Sequence, residues 1–250
     1  MTVVELNLAT PGSAPARKRD TRWAEQTEAL ATRAGVELED ATALEVLRWA
    51  ADTFGERLAV TSSMADAVVA HLASRVKPGI DVLFLDTGYH FAETIGTRDA
   101  VSEVYDVNVI NVTPTLSVAG QDAAFGKDLF ARDPDRCCAL RKVAPLNTAM
   151  RDYDAWITGL RRDETPSRAN TPVVSWDANR GKVKVCPIAR WTADDVDKYV
   201  ADHGILLNPL LMDGYESIGC RPCTRRTMAG QDARSGRWAG SSKTECGLHT

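Results

Sequence analysis

Leu58-Ala59-Val60-Thr61 carries no charge, and the polar turn Ser62-Ser63-Met64-Ala65-Asp66 follows at once. A short apolar run closed by such a turn reads as a buried strand feeding a helix, here expected over 64–75. The pattern recurs downstream. Asp81-Val82-Leu83-Phe84-Leu85 is a second strand, with a helix from about 91. Val107 to Val112 is a third strand, and Ala155-Trp156-Ile157-Thr158 a fourth, preceded by a helix over about 137–151. Strands alternating with helices imply right-handed crossovers. The expected class is α/β, a parallel sheet flanked by helices on both faces. Ligands of such sheets bind outside the carboxyl ends of the strands. The loops after Thr61, Leu85 and Thr158 are therefore where chemistry is expected.

Outward from this centre the organisation is simpler. Residues 22–34, 41–54 and about 192–203 have helical periodicity, and 166–182 reads as a long loop. Residues 1–21, rich in Thr, Ala, Pro and Gly, read as a disordered arm. Residues 22–228 form the α/β domain, and 229–250 a mobile, glycine- and serine-rich tail. The 250 residues are 44% hydrophobic and 26% charged, enough for a sizeable core and too balanced for a disordered or fibrous chain. The net charge of −4 gives no support to a nucleic-acid partner. No stretch nears the roughly 18 apolar residues of a membrane helix, and no secretory signal is visible. A cytoplasmic protein is expected, whose six cysteines stay reduced.

Those cysteines carry the strongest signal. Cys137 and Cys138 are adjacent, and Cys220-x-x-Cys223 follows far downstream. Neighbouring side chains on a helix diverge by about 100°, so adjacent thiolates chelate a single ion only with strain. A four-iron cluster offers separate irons and takes four Cys ligands. The rival is a four-cysteine zinc site, which normally uses two spaced pairs, and the plainest alternative is four small buried hydrophobes. Cys186, in Lys-Val-Cys-Pro, has no sequence partner and reads as a buried structural thiol. Cys246 lies in Glu245-Cys246-Gly247-Leu248-His249, where apolar burial has no rationale. The segment 224–250 holds Arg225, Arg226, Arg234, Arg237 and Lys243 against Asp232 and Glu245, a balance that favours a nucleophilic thiolate. An exposed, unused cysteine is the alternative.

The loops suit an anionic nucleotide. Backbone amides after Ser62 and Ser63 face a helix start. The same residues also read as a capping box, with Ser63 as cap and Asp66 three residues on. Asp86-Thr87-Gly88 after the second strand can present backbone groups to a base or sugar, or merely end the strand. Arg161, Arg162 and Arg168 follow the fourth strand and suggest guanidinium forks for an oxyanion, though Asp163 and Glu164 can instead pair with them. Lys142, four residues after Cys138, shares its helical face and can sit between a negative cluster and a negative substrate.

Over about residues 40–250 these motifs resemble the assimilatory sulfonucleotide reductases, and more closely the adenosine 5′-phosphosulfate reductases. The resemblance rests on Leu85 to Gly88, Cys137-Cys138 with Lys142, Gly159 to Asp163, Gly219-Cys220-x-x-Cys223-Thr224-Arg225, Gly236-Arg237-Trp238 and the Glu-Cys-Gly-Leu-His tail. It implies an adenine nucleotide alpha-hydrolase-like fold and a [4Fe-4S] cluster on Cys137, Cys138, Cys220 and Cys223. It implies that Cys246 attacks the sulfur of the substrate to form an S-sulfocysteine, from which thioredoxin releases sulfite. Lys142, Arg168, Arg234 and Arg237 match positions that contact the phosphosulfate, while Ser62, Ser63 and Asp86 to Gly88 fall in nucleotide-binding loops. The first loop lacks the Ser-Gly-Gly-x-Asp-Ser pattern of the related ATP pyrophosphatases, which disfavours ATP cleavage. Reduction of the 3′-phosphorylated analogue is a second enzymatic reading, and a zinc-stabilised adenylate-binding module without turnover a third. Self-association stays open.

Overall fold

Why the chain forms the expected layers is visible at the element ends. The computed structural model describes residues 21–228, 230–241, 243 and 245–249; all but the last residue of the expected N-terminal arm lies outside them. Helix α1 spans Thr21–Glu37 and α2 Ala43–Phe54, the latter opened by a capping box in which Thr42 and Glu45 satisfy each other's backbone N–H groups. Strand β1, Leu58–Ser62, is buried over its first three residues and leads to α3, Val68–Val76. Strand β2, Ile80–Leu85, is followed by α4, Ala92–Val104, and then by β3, Val107–Val112. Two short helices, α5 (Val118–Phe125) and α6 (Leu129–Arg132), precede α7, Pro134–Cys138, and α8, Ala144–Ala149. Strand β4 is Ala155–Ile157, β5 Val174–Asp177 and β6 Lys182–Val185; α9 is Ala193–His203, with a second capping box, Thr192 with Asp195.

The six strands form one sheet in the order β3-β2-β1-β4-β6-β5. Neighbours are parallel except β5, which runs antiparallel to β6 at the edge. The expected parallel sheet is thus correct for five strands and needs one antiparallel edge. The expected loop over 166–182 contains all of β5 and the first residue of β6. Its strands are only four residues each, and the Asn and Gly of the joining turn dominate the local pattern. Pairing with β4 supplies the burial that orders them, with Val183 and Val185 at 0% exposure. Order reverses between β1 and β4, the switch point at which α/β sheets open a crevice.

A second correction concerns the turn after β1. The helix begins at Val68, not at 64. Ser63 is exposed and caps nothing, while Asp66 accepts the Val68 N–H at 3.0 Å. Met64, buried and at φ +57°, takes a left-handed turn stabilised by its N–H bond to Ser62 Oγ, and this displaces the helix start. Among the described residues no helix is long and apolar enough to cross a membrane.

Candidate active site

The helical stretch from Pro134 to Ala149 widens in the middle. Residues Ala139–Val143 form a π-helical turn, in which the Ala144 N–H bonds to the Ala139 carbonyl. Pro145 explains it: the ring has no N–H and would clash with the carbonyl one turn back, so the backbone opens there. Cys137 and Cys138 precede the turn and Lys142 lies within it. All three line one cavity with Cys220 and Cys223, closed by Arg141 and by the rings of Tyr89, Phe130 and Trp238. The pairs separated by more than 80 residues in sequence are therefore neighbours. Cys137, Cys138 and Cys220 are buried. Burial and the neighbouring sulfurs push the Cys137 and Cys223 thiols up to about 11. Burial also raises Cys138, with Lys142 opposing it. Such a set is costly to ionise without a cationic partner held among the sulfurs, which fits the chemistry of a metal-thiolate centre. Among the described residues no three ligating groups converge closely enough for a single metal ion.

Backbone contacts fix the Cys220–Cys223 turn. The Arg221 N–H donates to the Tyr89 carbonyl at 2.7 Å, tying the turn to the loop after β2. Gly219 and Gly236 allow its close packing. A Cβ at Gly236 would lie 2.2 Å from the Arg225 carbonyl oxygen, and one at Gly219 the same distance from the Arg237 guanidinium. Thr224 bridges Arg237, and the Trp238 N–H donates to the Cys223 carbonyl at 3.0 Å. The segment 234–238 thus packs directly on the cysteine turn.

The expected site residues divide into groups. Thr87 is fully buried and turns toward the cysteines, with its Oγ1 3.2 Å from Cys220 Sγ, so the hydroxyl can serve a thiolate. Asp86 accepts the Gly88 N–H and lies 3.8 Å from Arg98. Ser62 supports Met64, and Ser63 faces outward. Arg161 pairs with Asp163 at 3.0 Å, and Arg162 forks onto Glu39 at 2.7 and 3.0 Å, so part of this loop is the internally paired alternative. Arg237 reaches the Ile218 carbonyl and stacks on Trp238, 4.6 Å from guanidinium carbon to ring centre, while its buried Nε has no partner among the described residues. Cys186 is core, at 0% exposure, with burial pushing its thiol up to about 12.

The described residues of the tail fold back over this region. Lys243 pairs with Asp135 beside the double cysteine. Glu245 is gripped by Arg168, which donates Nε and Nη2 to its two oxygens at 2.9 Å each; Arg234 adds a third contact at 3.2 Å. Leu248 packs on the sheet beside Trp156, and the His249 ring stacks on Trp156, 5.5 Å between centres and 3° between planes. Burial, then Lys184, Arg168, Arg180 and Arg234, hold the His249 pKa well below its usual value, so the ring is neutral. Cys246, between these anchors, lies within electrostatic range of Lys142 and Cys138. Burial disfavours the Lys142 charge, but Cys220 and Cys246 outweigh it and its pKa rises.

Three residues escaped the sequence reading. Arg141 is a buried cation bonded to the Thr87 carbonyl and Gln121. His90 donates Nε2 to the Leu85 carbonyl at 2.8 Å, leaving Nδ1 buried and unpartnered among the described residues. Trp156, read only as a strand residue, is the platform for the tail. Arg141 stands beside the conspicuous Lys142, and a lone histidine or strand tryptophan carries no local mark.

Comparison with known proteins agrees with this geometry. Residues 57–226 match the family described as phosphoadenosine phosphosulfate reductase domain. A protein of Streptomyces coelicolor named adenosine 5′-phosphosulfate reductase is 68% identical over 92% of this chain and 98% of its own. One of the same name from Mycolicibacterium smegmatis is 60% identical over 88% and 93%. The crystal structure of phosphoadenylyl-sulfate reductase from Candida auris superposes with a TM-score of 0.68 at 27% identity, covering 78% of this chain and 96% of that one. Candida glabrata FMN adenylyltransferase, at TM-score 0.51 and 12% identity over 87% and 75% of the chains, shares the fold alone. The chain therefore belongs to the sulfonucleotide (phosphoadenosine phosphosulfate) reductase family, and the relatives named adenosine 5′-phosphosulfate reductase share 60–68% of their residues with it.

Proposed function

We propose that the protein reduces adenosine 5′-phosphosulfate to sulfite and AMP in assimilatory sulfate reduction, with thioredoxin as reductant. The observation that carries this reading is Cys246 on a folded-back tail, within electrostatic range of Lys142 and next to the arginine pair Arg168 and Arg234. The adenosine occupies the strand ends near Ser62 and Asp86, and the phosphosulfate meets Lys142 and the arginines. The Cys246 thiolate attacks the sulfate sulfur. The S–O bond to the phosphate breaks, AMP leaves with that electron pair, and the enzyme holds Cys–S–SO₃⁻. Preorganised cations at the breaking bond stabilise the developing charge on AMP.

A thioredoxin thiolate then attacks Cys246 Sγ. Sulfite departs with the sulfur–sulfur bonding pair, leaving a mixed disulfide, which the second thioredoxin thiol resolves. The two electrons come from that thiol pair, so no other reductant is required. The tail leaves the pocket for this step, and its glycines supply the backbone freedom. Cys137, Cys138, Cys220 and Cys223 would hold a [4Fe-4S] cluster, which when bound supplies a fixed charge beside Lys142 rather than electrons. Thr87 then donates to the Cys220 sulfur, and Lys142 stands between the sulfurs and the substrate anion.

The test is direct. Cys246→Ser should bind substrate, keep its iron and release no sulfite. The parent, given adenosine 5′-phosphosulfate without thioredoxin, should gain about 80 Da on Cys246, the mass of one SO₃ group, as covalent catalysis requires. An adduct on another cysteine, or sulfite from the serine variant, would overturn the assignment.

A further inference from the structure

The arginines expected to receive the substrate anion already hold an anion. Arg168 presents its Nε/Nη2 edge to both oxygens of Glu245, and its Nη1 bonds Glu164 at 2.6 Å. Arg234 also donates to Glu245. The group is secluded: side-chain exposures are 11% for Arg168, 15% for Arg234 and 19% for Glu245. Two guanidinium charges face two carboxylate charges, so the four side chains together are neutral. Burial disfavours the Arg168 charge, but Glu164 and Glu245 outweigh it.

A carboxylate seated bidentate on an arginine fork offers the same two-oxygen edge that a phosphate or sulfate group offers. Both cannot occupy that edge. We infer that Glu245 is an exchangeable counter-anion, holding Arg168 and Arg234 in the substrate-free enzyme and being displaced by the phosphosulfate group. The inference rests on the proposed substrate. Glu245 immediately precedes Cys246, so rotation of its side chain alone frees the fork while the thiol stays close. A ligand carrying one negative charge would only replace like with like. The phosphosulfate, with two, leaves an excess charge that Lys142 can meet. Glu245 therefore sets a threshold of charge for occupancy of the pocket.

The test measures equilibrium binding where no turnover occurs. In the Cys246→Ser protein, the Kd for adenosine 5′-phosphosulfate is determined by calorimetry at fixed ionic strength. Removing the competing carboxylate, by Glu245→Gln and separately by Glu245→Ala, should tighten binding at least fivefold. In an Arg168→Ala background the same changes should alter Kd less than in the parent, because only the longer Arg234 contact at 3.2 Å is still shared. Retained far-UV circular dichroism shows that each variant is folded. If both Glu245 variants bind within twofold of their parent, or more weakly, the inference is overturned while sulfite release by the unsubstituted enzyme leaves the proposed function standing. If the unsubstituted enzyme neither binds the sulfonucleotide nor releases sulfite from it, both fall together.

Discussion

Arg141→Met tests whether the cysteine cavity is built on a buried cation. Arg141 is 3% exposed. Its Nε donates to the Thr87 carbonyl at 2.5 Å, and its Nη1 to Gln121 Oε1 at 3.2 Å and the Leu116 carbonyl at 3.3 Å. Methionine keeps the reach and removes every donor. A buried acceptor left without a partner costs about 1–3 kcal/mol. The Leu116 bond is long and only part-buried, so the Thr87 and Gln121 bonds carry most of the loss. Relief of a buried charge offsets some of it. The expected net destabilisation is about 2–4 kcal/mol, which in a chain of this size lowers the thermal midpoint by roughly 5–15 °C. Thermal and urea denaturation of the anaerobically purified protein, followed by far-UV circular dichroism, measure it. Arg141→Lys keeps the charge and one donor group, and should lose roughly half as much. A loss below about 1 kcal/mol in both variants would refute the assignment of Arg141 as the cavity's support.

Other outcomes follow from the same geometry. Cys137→Ser or Cys220→Ser should lose iron and the cluster's visible absorbance, and undiminished iron would exclude that residue as a ligand. Lys142→Ala should keep its iron but slow S-sulfonation of Cys246 by about 2–4 kcal/mol of transition-state stabilisation, read by rapid-quench mass analysis; a rate within twofold of the parent would remove it from the site. Gly236→Ala should disrupt the 224–237 contact, since its Cβ would sit 2.2 Å from a carbonyl oxygen, and a crystal structure showing that contact intact would contradict this. His249 has a folded pKa below its free value, so an undocked tail binds the extra proton first as pH falls through about 6.5. Docking should therefore weaken progressively as pH falls below about 6.5, seen as falling protection factors at 245–249 once the intrinsic pH dependence of amide exchange is divided out, and His249→Gln should remove that loss.

The sequence by itself determined the layer pattern and carried the motifs of the family. Leu58–Thr61, Asp81–Leu85, Val107–Val112 and Ala155–Thr158 are short apolar runs set between helical stretches, and this local pattern is enough for a parallel α/β core. The double cysteine and Cys220-x-x-Cys223 were legible as one group by their spacing, and the fold brings all four to one cavity. The tertiary structure alone decided what depends on partners distant in sequence. The edge hairpin β5–β6 forms because β4 buries it, and its turn residues conceal it locally. The start of α3 moves to Val68 because Met64 is drawn into the core, which a cap motif cannot register. The π turn needs Pro145 inside a helix that also carries Cys138 and Lys142. Arg168 was legible as an arginine after a strand. That its fork holds Glu245, 77 residues later, follows only from the folded tail, because an ion pair is a matter of distance and orientation in space rather than of spacing along the chain.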